Sequence, residues 1–163
     1  MKFTLTLIDI LILAVVQGIT EWLPISSSGH LVIIEKYLGL TPPLIFNVIL
    51  HVGTLFVVLA VFRRDIIKIV KALVRIDFKT DEGKLALYIA VGSVPTALIG
   101  FFFHGILESF FYNLLVVGIA LLITGFVLFF SERRKTDREL NYLDSLLIGT
   151  AQGIAITPGI SRS

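Results

Sequence analysis

Three long apolar blocks constrain this chain more than any other feature. They are "LIFNVILHVGTLFVVLAVF" at residues 44 to 62, "LALYIAVGSVPTALIGFFF" at 85 to 103 and "LLVVGIALLITGFVLFF" at 114 to 130. At 1.5 Å of rise per residue, about twenty helical residues cross a hydrocarbon core. None of the blocks alternates apolar and polar positions as a strand would. Backbone in lipid must satisfy its own hydrogen bonds, which leaves helices as the only fitting solution. The expected fold class is therefore an all-α integral membrane protein, a polytopic helical bundle forming one membrane domain over residues 1–163. Composition agrees, with 56% hydrophobic and 16% charged residues, against about a quarter charged in soluble domains.

The loops between the blocks differ in charge. Residues 63 to 84 carry seven basic side chains, Arg63, Arg64, Lys68, Lys71, Arg75, Lys79 and Lys84; residues 131 to 142 carry four, Arg133, Arg134, Lys135 and Arg138; residues 104 to 113 carry none. The positive-inside rule puts both basic loops in the cytoplasm and the 104–113 loop outside, in a multi-pass plasma-membrane protein. This also accounts for the net charge of +2 without a nucleic-acid partner. The stretch "DIIKIVKALVRI" in the first basic loop has the pattern of a short interfacial helix, although an ordinary solvated linker helix explains it equally well. With no cysteine, disulfides and thiolate chemistry are excluded. The apolar run after Lys2 imitates a signal peptide, but Asp9 interrupts it and no small-residue cleavage site follows before Glu21, so it is expected to be retained.

The two ends are apolar but broken. Residues 3 to 40 are interrupted by "LPISSSGH", and residues 143 to 163 run into "TPGISRS". Pro24 disfavours helix at Leu23, and the serines offer N-caps for a new helix near Gly29. The breaks align with each other at a shift of 135 positions: Gln17, Gly18, Ile19, Ile25, Ser26 and Ser28 meet Gln152, Gly153, Ile154, Ile160, Ser161 and Ser163, six identities in twelve positions. Ser27 meets Arg162. An odd number of spans between the copies inverts the second relative to the first, and inverted repeats with broken helices place a site near the bilayer midplane. If both segments are re-entrant, one dips in from outside and the other from the cytoplasm, and their tips meet. A kinked full crossing of residues 3 to 40 is the alternative.

Chemistry concentrates at the breaks. Gln17 and Glu21 share one helix face, and an ionisable group at membrane depth marks function by default; snorkelling at an interface is the plain alternative for Glu21, and interhelical hydrogen bonding for Gln17. Ser26, Ser27 and Ser28 fit helix capping, and a helix N-terminus also binds phosphate. His30, three residues after Ser27, is placed to act as its base or to hold a phosphate oxygen. Arg162 lies at a break rather than in a basic loop, and guanidinium grips phosphate oxygens in a bidentate fork. Together these groups suit a metal-bound phosphate and its displacement. Asn47, His51 and Thr54 form one polar stripe on the first block, with interhelical hydrogen bonding as the competing explanation. Asp9, Pro95 and Glu108 have ordinary readings in packing, a kink and a solvated loop.

At these residues the chain resembles the undecaprenyl-diphosphatase, or bacitracin-resistance, family. The carriers are "QGITEWLPISSSGHL", "PGISRS" and "FNVILHVGTL", in order along the chain. The resemblance implies a membrane phosphatase that removes the terminal phosphate of a polyprenyl diphosphate, giving the lipid carrier monophosphate for cell-envelope synthesis. It further implies inverted repeats with two re-entrant hairpins, a site opening outward, and a divalent cation, Mg²⁺ or Ca²⁺. Carried over, Glu21 and Gln17 handle metal or water, Ser27 and His30 share the nucleophile and acid/base roles, and Arg162 grips the diphosphate. Ser26, Ser28, Ser161 and His51 fall among the substrate-binding positions. Position 17 is Gln rather than Glu, which removes a charge but keeps a carbonyl ligand, and Asn47 stands where an acidic residue is common. Family members continue beyond the second signature, so an N-terminal portion with an incomplete second repeat is expected. A lipid-phosphate or ion transporter on the same architecture is the rival reading, and a non-catalytic remnant a third. Small residues on the spans permit a homodimer.

Overall fold

The computed structural model describes residues 5 to 131 and 139 to 162. The basic residues Arg133, Arg134, Lys135 and Arg138, and with them half of the charge argument for topology, lie outside the described residues, as does Ser163.

The described chain is all-α. Three helices are long and apolar enough to cross a membrane: α3 (Leu44–Val61), α5 (Asp81–Phe102) and α7 (Leu114–Ser131). Together with their lipid-compatible, largely exposed apolar faces, they make this a membrane protein. The expected spans match closely, except that α5 starts four residues early. Thr80 caps it by accepting the Gly83 N–H, and Asp81 and Glu82 occupy its first turn, where acidic groups favour the positive end of the helix. Helix continues through Pro95. The basic segment forms a separate helix, α4 (Arg63–Val74), and a short helix that the sequence reading did not anticipate, α6 (His104–Phe110), fills the loop before α7.

The first broken segment resolves into α1 (Leu7–Thr20) and α2 (Ser27–Tyr37), and the second contributes α8 (Tyr142–Ile154) followed by non-helical chain to Arg162. The break in the first copy is short, and Ser26 caps α2 two residues earlier than the expected start near Gly29. The repeat reaches beyond the two signatures. Thr6 and Asp9 form a capping box at the start of α1, and Asn141 and Asp144 form one at the start of α8, again 135 positions apart. Each box satisfies two orphan N–H groups at a helix start. Asp9, read as packing or an interface residue, is one of these caps.

Helix α8 is held against α5 by a seam of small residues. A Cβ at Gly149 would collide with the Gly92 carbonyl oxygen, and one at Gly153 would meet Ile99. Thr96 Oγ1 donates to the Gly149 carbonyl at 2.7 Å. Such close backbone approach is how helices associate where lipid removes the hydrophobic drive between them. Gly149→Val should therefore cost about 1–3 kcal/mol or more through forced separation. Gly105→Ala, which has open space, should be silent, and thermal unfolding in detergent compares the two.

Candidate functional site

The site grows from the end of α1. Glu21 is its C-cap, and its backbone N–H bonds back to the Gln17 carbonyl, so both side chains leave the same helix face. Gln17 Nε2 donates to Glu21 Oε2 at 2.9 Å, and Ser27 Oγ, the first residue of α2, donates to the same oxygen at 2.5 Å. The break between α1 and α2 is what folds Ser27 back over Glu21. From α3, His51 Nε2 stands 3.8 Å from that oxygen.

The orientation of His51 is fixed. Its Nδ1 lies 2.8 Å from the Asn47 carbonyl oxygen, which only accepts, so Nδ1 carries a proton. In the neutral ring Nε2 then presents its lone pair towards the carboxylate. Among the described residues neither His51 Nε2 nor Gln17 Oε1 has a hydrogen-bond partner, and both atoms are buried. Thr54 completes the polar stripe of α3. Its hydroxyl donates to the His51 carbonyl at 2.9 Å and stands 3.5 Å from Gln17 Nε2. The stripe read in the sequence thus faces α1, with Gln17 only 1% exposed beneath it.

The second break is joined to the first by backbone contacts. Ser26 Oγ accepts from Gly29 N–H at 3.4 Å and from Gly159 N–H at 3.1 Å. A Cβ at Gly29 would come within 2.8 Å of Gly159 Cα, and Gly159 itself has φ +101°. This is a left-handed conformation that glycine adopts freely. Ser26 has φ 65°, which is costly for a residue with a side chain. It is fixed by the bonds to its hydroxyl and by His30 Nδ1, 2.8 Å from its carbonyl oxygen.

One cavity of about 80 Å³ lies between the breaks, walled by Glu21, Ser26, Ser27, Ser28, Ser161 and Arg162 among others. Arg162 is exposed on this wall and has no ion pair among the described residues. His30 is not on that wall. It lines a separate cavity with Ile25, Leu121 and Thr124, and its ring serves the Ser26 backbone. The expected approach of His30 to the Ser27 hydroxyl is therefore not made; that hydroxyl is on Glu21.

Sequence reading missed Thr124. Its hydroxyl donates to the Gly159 carbonyl at 2.7 Å and accepts from Ser161 N–H at 3.1 Å, pinning the second break to α7. The available signal was a hydroxyl at the middle of an otherwise apolar span. Thr124→Val should cost about 1–3 kcal/mol by removing the donor to the buried Gly159 carbonyl, and Thr124→Ser should recover most of it. Unfolding midpoints of the two variants in one detergent check this.

Similarity to known proteins covers the same residues. Residues 10–163 match the family described as Bacitracin resistance protein BacA. The chain is 41% identical over 175 residues to an undecaprenyl-diphosphatase of Alkaliphilus metalliredigens, covering 98% of this chain and 64% of the relative. It is 44% identical over 158 residues to one of Carboxydothermus hydrogenoformans, covering 94% and 58%. A third, of Korarchaeum cryptofilum, is 41% identical over 161 residues, covering 94% and 62%. The chain thus spans about three fifths of the length of these relatives.

Proposed function

The chain belongs to the Bacitracin resistance protein BacA family, and from that premise we propose that it carries the phosphoryl-transfer centre of a polyprenyl-diphosphate phosphatase in the plasma membrane. The observation that carries the reading is the 2.5 Å bond from Ser27 to Glu21 on the wall of a cavity that also contains Arg162. The names of the relatives supply the substrate class, an undecaprenyl diphosphate.

In this reading the diphosphate enters between the breaks and Arg162 holds its non-bridging oxygens. Glu21 Oε2 takes the Ser27 proton as Oγ attacks the terminal phosphorus. The bond from that phosphorus to the bridging oxygen breaks, and the lipid monophosphate leaves with the electron pair. Water, deprotonated by a Glu21 that has lost its proton to solvent, then cleaves the phosphoserine and releases inorganic phosphate. Gln17 and His51 orient the carboxylate. His30 acts as a positioning residue that holds the strained Ser26 and thereby the start of α2.

A divalent cation fits the donors present. Glu21 carboxylate oxygen, Gln17 Oε1 and His51 Nε2 would hold it, the last two being buried atoms without partners among the described residues. The oxygen donors among them suit a hard ion, Mg²⁺ or Ca²⁺; Mg²⁺ keeps waters and takes substrate phosphates alongside one or two carboxylates. When bound, such an ion neutralises charge on the diphosphate. The reading includes a site that opens to the outer side, as the family resemblance implies. It also includes a homodimer, for which Gly118 and Gly125 leave open space beside α7.

In the full-length protein, Glu21→Gln and Ser27→Ala should each lower phosphate release from a polyprenyl diphosphate by about 10²–10⁴ in kcat. Arg162→Ala should raise KM as well. His30→Ala should lose activity together with thermal stability, whereas Ser27→Ala should keep its stability. Wild-type rates in the Glu21 and Ser27 variants would sink the reading, and lipid flux in liposomes without phosphate release would favour a transporter.

A further inference from the structure

A second polar cavity exists apart from the one between the breaks. It lies where α2 ends and α3 begins, has a volume of about 30 Å³, and shares no lining residue with the first. Three of its lining residues bring a buried side-chain oxygen with no hydrogen-bond partner: Glu35 Oε1, Thr41 Oγ1 and Asn47 Oδ1. Glu35 is 8% exposed and Asn47 6%. Native proteins rarely leave even one buried oxygen unmatched, and each such group calls for an explanation. Three in one cavity point to an occupant.

Oxygen-only donors select a hard cation rather than a soft one. The charge count selects its valence. Among the described lining residues Glu35 is the only acid and Lys36, half-buried, shares its wall. Each added positive charge therefore raises the cost in a poorly solvated place, and the ion of least charge costs least. We propose that this cavity binds a monovalent hard cation, sodium in kind, through Glu35, Thr41 and Asn47.

Occupancy has a route to the first site. Asn47 is one helical turn before His51 on α3, and its backbone carbonyl accepts the hydrogen bond from His51 Nδ1. An ion that holds the Asn47 side chain steadies the turn that aims His51 Nε2 at Glu21.

Binding of radiolabelled sodium to the purified full-length protein in detergent tests this without any activity measurement. Saturable binding of about one ion per chain is expected, weakened about tenfold or more in Glu35→Gln and severalfold in Thr41→Val. Glu21→Gln should bind as wild type does, since Glu21 lines the other cavity. Absence of saturable binding, binding unchanged in Glu35→Gln, or binding lost in Glu21→Gln would each overturn the proposal. If Glu35→Gln does not fold, Thr41→Val decides in its place, with undiminished affinity as the contrary result.

Discussion

The Ser26 hydroxyl, accepting from Gly29 N–H in its own helix and from Gly159 N–H of the second break, is the contact on which the arrangement depends. A chain that stops being helical within lipid leaves N–H and C=O groups without partners, and protein must supply them. Here each break helps to satisfy the other, and Thr124 on α7 takes two more groups of the second. The absence of a side chain at Gly29 and the φ of +101° at Gly159 are conditions for that contact. A Cβ at Gly29 would meet the opposing break, and one at Gly159 would meet α7. Once the breaks touch, Ser27 and Arg162, which correspond in the repeat, fall on one wall.

The carboxylate at the centre is held by geometry. Two donors converge on Glu21 Oε2, Gln17 from one turn before and Ser27 from across the break. Hydrogen bonds to an ionised carboxylate are stronger than neutral ones and stronger still where the dielectric is low. They keep the carboxylate in line with the Ser27 hydroxyl. The polar stripe of α3 adds a second side to the pocket through His51 and Thr54, so the site draws on α1, α2, α3 and the chain after α8.

Much of this was legible in the sequence. The three spans could be read because long apolar runs have few ways to fold, and the breaks because proline and clustered serines have strong local consequences. Pairing of the breaks was legible from Gln17 and Gln152 through Ser26 and Ser161. The partner of the Ser27 hydroxyl was not. Spacing brought His30 near in sequence, but the turn at Ser26, at φ 65°, directs the His30 ring to a backbone carbonyl and leaves Ser27 to Glu21. A left-handed serine carries no signature in composition or periodicity. Thr124 was equally silent, since one threonine in an apolar helix bonds most often to its own backbone, and only the position of the second break shows otherwise. Capping boxes at both repeat starts lie in Thr6 with Asp9 and Asn141 with Asp144, a short pattern that also fits an ordinary turn until the helix start is known.

The central claim is that the two breaks are one structure joined through the Ser26 hydroxyl. Hydrogen exchange at the Gly159 amide, followed by NMR in detergent, reads that contact directly. Slow exchange in the wild-type protein is predicted, becoming about tenfold faster in Ser26→Ala, as expected for loss of a hydrogen bond of about 1.4 kcal/mol, and unchanged in His51→Ala. Fast Gly159 exchange in the wild type, or exchange indifferent to Ser26→Ala, would contradict it.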